Sequence, residues 1–530
     1  MATPALKSIG IVYLVGAGPG DVGLLTLRGA EVLGQAEVIV YDALINPDLL
    51  RLAPKTAEII FGGKRSSDHA MPQAELNRLL VEHARAGKTV VRLKGGDPYI
   101  FGRGGEEAQE LAAAGIAFEV VPGVSSISAV PNYAGIPITH RDFCSSFTVI
   151  TGHEDPAKDA SSVDWARLAS TPGTTIILMG VKRIREITSQ LIAHGRPPET
   201  PVGMIHWGTT SRQRTLTGTL ATIAGLVEET KFTAPAVIVI GEVVNLRDQL
   251  NWFENRPLFG QRVVVTRTRD QASQLTRQLA ALSAEVLEIP TIKILPTDRP
   301  TDVAEALLEL NSYDWIIFTS PNGVTMFFEY FFKAFEDMRD IGGVKIAAVG
   351  PATAAKLKEL HLKVDLMPEE YVAPKIASAL AKYESIDNLK LLLMRAEVAN
   401  RELPEALEAL GGIVDDIACY RTVPETEDPN GAAARLLESG ADWITFTSSS
   451  TVENFHARFP LPELLQKFPG LKLASIGPET TKTIVALGLK PTVEAKPHTI
   501  DGLVAALTKA TAPKRPTKSR AVRAGKSLAS

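Results

Sequence analysis

The stretch VVRLKGGDPYIFGRGGEE, Val90 to Glu107, decides how the first half of the chain is read. An apolar strand runs into Gly95-Gly96-Asp97-Pro98, and a second glycine turn follows at Gly102, Gly104 and Gly105, beside Arg103, Glu106 and Glu107. Glycine admits positive φ and lets a ligand approach the backbone closely. Upstream, VYLVGAGPGD (Val12 to Asp21) feeds another strand into Gly16, Gly18 and Gly20. A dinucleotide loop of the G-x-G-x-x-G type would open a helix with its third glycine. Asp21 stands in that place, and Pro19 lacks an N–H that phosphate cradling would use. Downstream, VVPGVSS (Val120 to Ser126) is again a strand entering a Pro-Gly turn with hydroxyls, and GIPITHRD groups His140, Arg141 and Asp142.

Apolar runs such as IVYLVG, EVIVYD, TTIILMG and AVIVIG alternate with amphipathic stretches such as PQAELNRLLVEHARAG. That alternation predicts an α/β protein. At 530 residues the chain is long enough for more than one domain. A boundary is expected at Asn251–Gly260, where LRDQLNWFENRPLFG closes one run of elements before QRVVVTR opens another. The second half repeats itself. DWIIFTSPNGV at Asp314 matches DWITFTSSSTV at Asp442, KIAAVGPAT at Lys345 matches KLASIGPET at Lys472, and RVVVTR at Arg262 matches KLLLMR at Lys390. The offset is about 128 residues, close to one domain unit. Two similar lobes commonly hold a ligand between them. Duplication for stability alone is the plainer alternative, but packing does not require the similarity of the polar loops TSPNG, TSSST, VGPAT and IGPET.

The composition is that of a globular protein, 45% hydrophobic and 22% charged, and a net charge of -4 gives no sign of nucleic-acid binding. Cys144 and Cys419 lie far apart without partners at ligand spacing, so neither a metal site nor a disulfide framework is expected. No signal peptide or membrane span is read, and a cytoplasmic protein is expected. Residues 511–530 are basic, with Lys514, Arg515, Lys518, Arg520, Arg523 and Lys526 and no acid. They read as a disordered solubilising tail, or else as an electrostatic tether for an anionic ligand or nucleic acid.

GAGPGD, KGGDPYIFGRGGEE, VVPGVSS, GIPITHRD, ILMG and PAVIVIGEVV, in that order over residues 10–253, resemble the uroporphyrinogen-III C-methyltransferases of the tetrapyrrole methylase family. The resemblance implies two α/β subdomains with S-adenosyl-L-methionine in the cleft between them and S-adenosyl-L-homocysteine as product. It also implies a homodimer and two successive methylations of uroporphyrinogen III, to precorrin-2 through precorrin-1, ahead of sirohaem, cobalamin or haem d1. By the same resemblance the cofactor contacts fall on Pro19, Gly95, Gly96, Asp97, Ile100, Ser125, Ser126, Met179 and Gly208. The family often has Thr-Ala where this chain has Ser125-Ser126. Asp42 matches the family's proposed proton acceptor and Lys64 its proposed donor; read from the residues alone, Asp42 equally suits a turn cap and Lys64 a solvated cation. The substrate carries eight carboxylates, which makes Arg103 and Arg141 candidates for pairing with it. Glu106 is a candidate for orienting a pyrrole N–H or a neighbouring Arg. Surface ion pairs are the alternative role for these charges.

FTSPNGV, VGPATA, YRTV, FTSSSTV and IGPETTK, over residues 260–508, resemble uroporphyrinogen-III synthase, a bilobal α/β fold. The resemblance implies closure of linear hydroxymethylbilane with inversion of its last pyrrole, through an azafulvene and a spiro intermediate, without a cofactor. Substrate contacts are expected from Thr319, Ser320, Asn322, Thr353, Ser448, Ser449, Thr451 and Thr480, and departure of the hydroxyl is expected to be assisted by Tyr420. The same Ser and Thr residues also suit helix N-caps. Where the family often has Arg-Gly, this chain has Arg395-Ala396. The expected division is 1–255 for the methyltransferase and 256–510 for the synthase, with lobes 260–293 plus 424–510 and 294–423. The chain is expected to cross between lobes near Pro290–Leu295 and Tyr420–Pro424. A methyltransferase fused to a non-catalytic tetrapyrrole sensor is the alternative organisation.

Overall fold

The computed structural model describes residues 9–63, 71–152, 163–267, 269–370, 373–428 and 431–512. Lys64 and most of the basic tail lie outside them. The expected α/β architecture is present, as four five-stranded sheets among the described residues.

The first sheet is parallel throughout, in the order Glu58–Phe61, Val38–Tyr41, Val90–Lys94, Ile11–Gly16, Ala117–Val121. Its central strands are buried on both faces, as a parallel sheet between helices requires. Because the strands are parallel, the loops after Gly16, Tyr41, Lys94 and Val121 emerge along one edge. The second sheet runs Phe147–Thr151, Thr174–Leu178, Ala236–Ile240, Pro201–His206, Arg214–Thr219; its first pair is parallel and the rest antiparallel. The segment after it is held down rather than loose. Trp252 and Phe253 pack on Tyr133 with ring centroids 4.9 and 4.8 Å away. Glu254 accepts from Gln213 at 2.8 Å and Thr215 at 2.6 Å. Four residues on, Leu258 is already buried in the core of the next sheet.

The third sheet is parallel: Glu285–Glu288, Arg262–Val265, Trp443–Phe446, Lys472–Ser475, Val493–Glu494. The fourth takes the intervening residues: Ile292–Pro296, Ile413–Pro424, Lys390–Ala396, Trp315–Phe318, Lys345–Ala348. Under the repeat offset the two orders coincide strand for strand over four strands, from Glu285–Glu288 to Lys472–Ser475 in one sheet and from Ile413–Pro424 to Lys345–Ala348 in the other. Even the edge bridge Ala347–Leu366 answers to Ala474–Val493. The repeat extends to side chains. Asp314 accepts from the Lys390 N–H at 2.9 Å in one lobe, and Asp442 from the Arg262 N–H at 2.7 Å in the other. Both aspartates pin strand starts, at the edge opposite the polar loops. Trp315 and Trp443, one residue on, are fully buried anchors of their cores; truncating either to alanine would cost about 3–5 kcal/mol.

The chain leaves the third sheet after Glu288 and returns after Pro424. The outgoing and returning segments pair with each other, antiparallel, from Ile292 with Pro424 to Pro296 with Tyr420. Both are reached from the C-terminal ends of parallel strands, so this ribbon joins the lobes on the side where their polar loops lie.

Candidate active sites

In the first half, three glycine loops meet at the C-terminal edge of the first sheet. Gly18 and Gly96 exchange backbone hydrogen bonds at 3.2 and 2.8 Å. Asp97 ties the other junction: one carboxylate oxygen accepts from the Tyr99 N–H at 2.9 Å, the other from the Gly123 N–H at 3.1 Å. A Cβ on Gly123 would sit 2.2 Å from the Gly96 carbonyl oxygen, and one on Gly16 would sit 2.5 Å from Gly123 Cα. Gly16 and Gly123 are therefore glycine because backbone meets backbone. Gly95 faces space instead: an added Cβ there would meet only Leu44, at 3.5 Å.

The second sheet supplies the opposite wall. Met179 is half exposed with φ 58°, and the loop after His206 holds Trp207 at φ 45° and Thr209 at φ 67° around Gly208. Left-handed backbone at a non-glycine residue is costly and gathers at functional sites. Gly208 presses on Val130, 2.4 Å from where its Cβ would be. Asp21 joins the two walls: its N–H donates to Thr209 Oγ1 at 3.1 Å, and its carboxylate accepts from the Tyr133 hydroxyl at 2.7 Å. Asn46 donates to the Gly20 carbonyl at 2.8 Å, holding the same loop from the other side. Sequence reasoning had not assigned Asp21 or Asn46 a role. Ser125 caps the helix Ser126–Tyr133, accepting from the Ile127 N–H at 3.3 Å. Ile100 sits exposed between Tyr99 and Phe101 on the loop after Pro98. The glycine-bounded space, with exposed Met179 and Ile100 and the loop around Gly208, fits a ligand that combines an apolar ring and a polar chain.

Asp42 lies at the end of Val38–Tyr41, its carboxylate 2.5 Å from Arg92 Nη2. Arg92 and Lys94 are buried on one face of their strand and both reach Glu107 Oε1, at 3.2 and 2.7 Å. Burial, and then the Arg92 charge, push the Lys94 ammonium below the usual lysine range. Arg92 and Lys94 were not picked out from sequence, and Glu107 was named there beside the glycine turn without a role. The signal was there: two cations two residues apart, on one face of an otherwise apolar strand. Arg103 and Glu106 form an exposed fork-to-fork pair at 3.0 and 2.7 Å. Glu106 would have to release Arg103 for it to meet a substrate carboxylate. Arg141 is exposed in the turn between His140 and Cys144, flanked by the His140–Asp142 pair at 3.9 Å.

In the second half the candidates follow strand ends of both lobes. Ser320 caps the helix Pro321–Ala334 and lies 2.9 Å from the Tyr420 hydroxyl. Tyr420 is 6% exposed, and burial raises its phenol above the usual range. A register shift at Arg395/Ala396 leaves Cys419 unpaired and sets Tyr420 opposite Ala396; such bulges re-aim side chains. Arg395 is locked by Asp416, at 2.8 Å through Nε, and by the Asn400 carbonyl at 2.8 Å. At the repeat-related position Ser448 and Thr451 form a reciprocal capping box on Ser449–Arg458. Ser449 donates to the Glu479 carbonyl at 3.3 Å. Thr353 and Thr480 are buried in the first turns of Pro351–Glu359 and Pro478–Ala486. Thr319 and Asn322 flank the Ser320 cap. Capping is thus a role that Ser320, Ser448 and Thr451 perform in this structure. Two helix N-termini are capped in this way, one per lobe, and those of Pro351–Glu359 and Pro478–Ala486 start from C-terminal strand ends without a side-chain cap; such termini favour anions.

Comparison with known proteins gives two family matches: tetrapyrrole (corrin/porphyrin) methylases over residues 11–224, and uroporphyrinogen-III synthase HemD over residues 273–505. The porphyrin biosynthesis protein HemD of Ruminiclostridium josui is 37% identical over 497 residues, 93% of this chain and 97% of that one. The S-adenosyl-L-methionine-dependent uroporphyrinogen III methyltransferase of Methanosarcina barkeri is 56% identical over 241 residues, 46% of this chain and 94% of that one. Among solved structures, uroporphyrin-III C-methyl transferase of Thermus thermophilus complexed with S-adenyl homocysteine is 40% identical. It covers 45% of this chain and all of that one, with a TM-score of 0.39.

Proposed function

We infer that this chain, which belongs to the tetrapyrrole methylase and uroporphyrinogen-III synthase families joined in one polypeptide, catalyses two consecutive reactions. Residues 256–510 close hydroxymethylbilane to uroporphyrinogen III, and residues 1–255 methylate that product twice, giving precorrin-2 through precorrin-1. The observation that supports the proposal is the pairing of two candidate sites in one chain: a glycine-bounded cleft between unlike subdomains, and two repeat-related sets of helix N-termini at the strand ends beside the ribbon that joins the lobes.

S-adenosyl-L-methionine, when bound, supplies an already activated methyl group, so the protein's tasks are alignment, exclusion of water and handling of protons. Gly95, Gly96 and Gly208 let backbone approach the cofactor, with Ile100 and Met179 against its apolar parts and Pro19, Asp97, Ser125 and Ser126 on the surrounding loops. The substrate's pyrrole carbon takes the methyl, and the ring then sheds one proton, which Asp42 accepts. Arg103 and Arg141 meet substrate carboxylates, Arg103 after exchanging its pairing with Glu106. Exposed Tyr99, Phe101, Phe143 and Phe147 support a homodimer through this half.

In the synthase half, the helix N-termini beside Ser320, Thr353, Ser448 and Thr480 receive substrate carboxylates, and their N–H groups fold the linear chain toward ring closure. The Tyr420 phenol stays protonated and donates to the departing hydroxyl, so that hydroxide leaves as water; Ser320 holds it in place. The two halves are tested separately on the full chain. Uroporphyrinogen III with S-adenosyl-L-methionine should gain the mass of two methyl groups. Hydroxymethylbilane alone should yield the type III ring; the spontaneous type I ring alone would refute the synthase activity.

A further inference from the structure

The first half contains an assembly of charges that the reaction as described does not use. Glu107 is fully buried, and its Oε1 accepts from Arg92, Lys94 and Gln73, the last at 3.1 Å. Its Oε2 is buried with no partner among the described residues. Arg92 continues the chain, with Nη1 on the Val40 carbonyl at 3.4 Å and Nη2 on Asp42. Two cations and two carboxylates thus form a neutral group in the sheet interior. Such groups are expensive to desolvate, and apolar side chains of similar volume would serve stability as well or better. Their retention here calls for a second reason.

The geometry supplies one. The group is sealed at one end and open at the other: Glu107 is inaccessible, whereas the Asp42 side chain is 31% exposed at the C-terminal strand edge. Arg92 is the only link between them among the described residues. Its guanidinium is planar and presents donors in a fixed fork, so with Nε held by Glu107 the direction of Nη2 is determined. Asp42 is therefore oriented from behind, by a group that never reaches the cleft.

We propose that Arg92, anchored by Glu107, is a positioning residue for methyl transfer that holds the Asp42 carboxylate in one orientation at the cleft edge. The inference rests on the assignment of Asp42 as proton acceptor. Lys94 contributes by balancing the Glu107 charge directly beneath Gly95, on the strand that carries Arg92.

The test uses full-length R92K, E107Q, D42N and the D42N/R92K double variant. Uroporphyrinogen III turnover is the main readout, with equilibrium binding of S-adenosyl-L-methionine and the synthase activity of the same preparations as controls for folding. R92K keeps the charge and loses the fork; it should lower kcat about 10- to 100-fold, with cofactor binding and synthase activity unchanged. E107Q should do likewise, and should be no worse than R92K. In the D42N background R92K should add less than about twofold, because groups acting as a unit are not additive. If R92K costs its full factor on top of D42N, or acts wholly through cofactor binding, the inference is overturned while Asp42 keeps its role. If D42N turns over at the wild-type kcat, the Asp42 assignment falls and the inference falls with it.

Discussion

The hydroxyl of Tyr420 lies 2.9 Å from Ser320 Oγ, joining the ribbon between the synthase lobes to the N-cap of the helix Pro321–Ala334. The pair has consequences for stability and for chemistry. Y420F removes one hydrogen bond and should cost about 1 kcal/mol. S320A also removes the cap on the Gly323 N–H, worth a further ~0.5–2 kcal/mol, and should be the worse of the two in denaturant unfolding of the synthase half. Both should slow ring closure and leave methylation of supplied uroporphyrinogen III unchanged.

Burial raises the Tyr420 phenol above its ordinary value of 10.0. A raised folded-state value means that its contribution to stability is present below pH 10 and is lost as pH climbs past it. Ring closure should accordingly show no alkaline limb from Tyr420 below pH 10, and the Y420F profile should keep the wild-type shape there at lower amplitude. A limb near neutrality that vanishes in Y420F would contradict the assignment of a protonated phenol.

Gly123→Ala should be among the most disruptive small changes in the first half, since its Cβ would meet backbone at 2.2 Å. The loops would have to part, at about 1–3 kcal/mol, with loss of cofactor binding. Gly225→Ala is the contrast. An added Cβ on Gly225 meets nothing within 4 Å, and the residue lies inside the helix Ile223–Glu229. It should stabilise by about 0.5–1 kcal/mol and leave methylation intact. Calorimetry and cofactor binding on the two variants check both signs.

Asp21 couples the first glycine loop to Tyr133 and Thr209. D21A should weaken S-adenosyl-L-methionine binding about 10- to 100-fold, the worth of a charge-assisted hydrogen bond of ~1.5–3 kcal/mol. Synthase activity of the same protein should be unaffected. Binding equal to wild type would show that the carboxylate's bond to Tyr133 does not hold the walls, since the Asp21 N–H to Thr209 survives the substitution.

His206 precedes the strained loop at Trp207–Thr209, and burial is the leading cause that lowers its value from 6.5. Its neutral form is the folded form, so stability is full above about pH 6.5 and falls as pH drops below it. H206Q should flatten that acid limb in thermal unfolding between pH 7.5 and 5.5. A limb of unchanged steepness would assign the loss to other groups.

Much of this was legible in the chain itself. Strand–glycine junctions such as Lys94-Gly95 and Val15-Gly16 mark the C-terminal edge of a parallel sheet, and the repeat at Asp314 and Asp442 gives the two lobes and their common strand order. The reading of Ser and Thr loops as caps, held open beside substrate binding, describes what Ser320, Ser448 and Thr451 do here. What stayed hidden depends on contacts distant in sequence. Asp21 looked like a mere departure from a nucleotide loop because its partner Thr209 is 188 residues away. Gly16 and Gly123 looked like room for a ligand, yet each makes room for the other's backbone. Arg92 and Lys94 were absorbed into an apolar strand, since Glu107 reaches them only after the loop between folds back over the sheet.

In the proposed function one chain makes uroporphyrinogen III and then methylates it. The direct measurement supplies the full-length protein with hydroxymethylbilane and S-adenosyl-L-methionine, and records product mass together with isomer type. The expected product is a type III ring carrying two added methyl groups, and the unmethylated type III ring when S-adenosyl-L-methionine is withheld. An unmethylated type I ring under both conditions would contradict it.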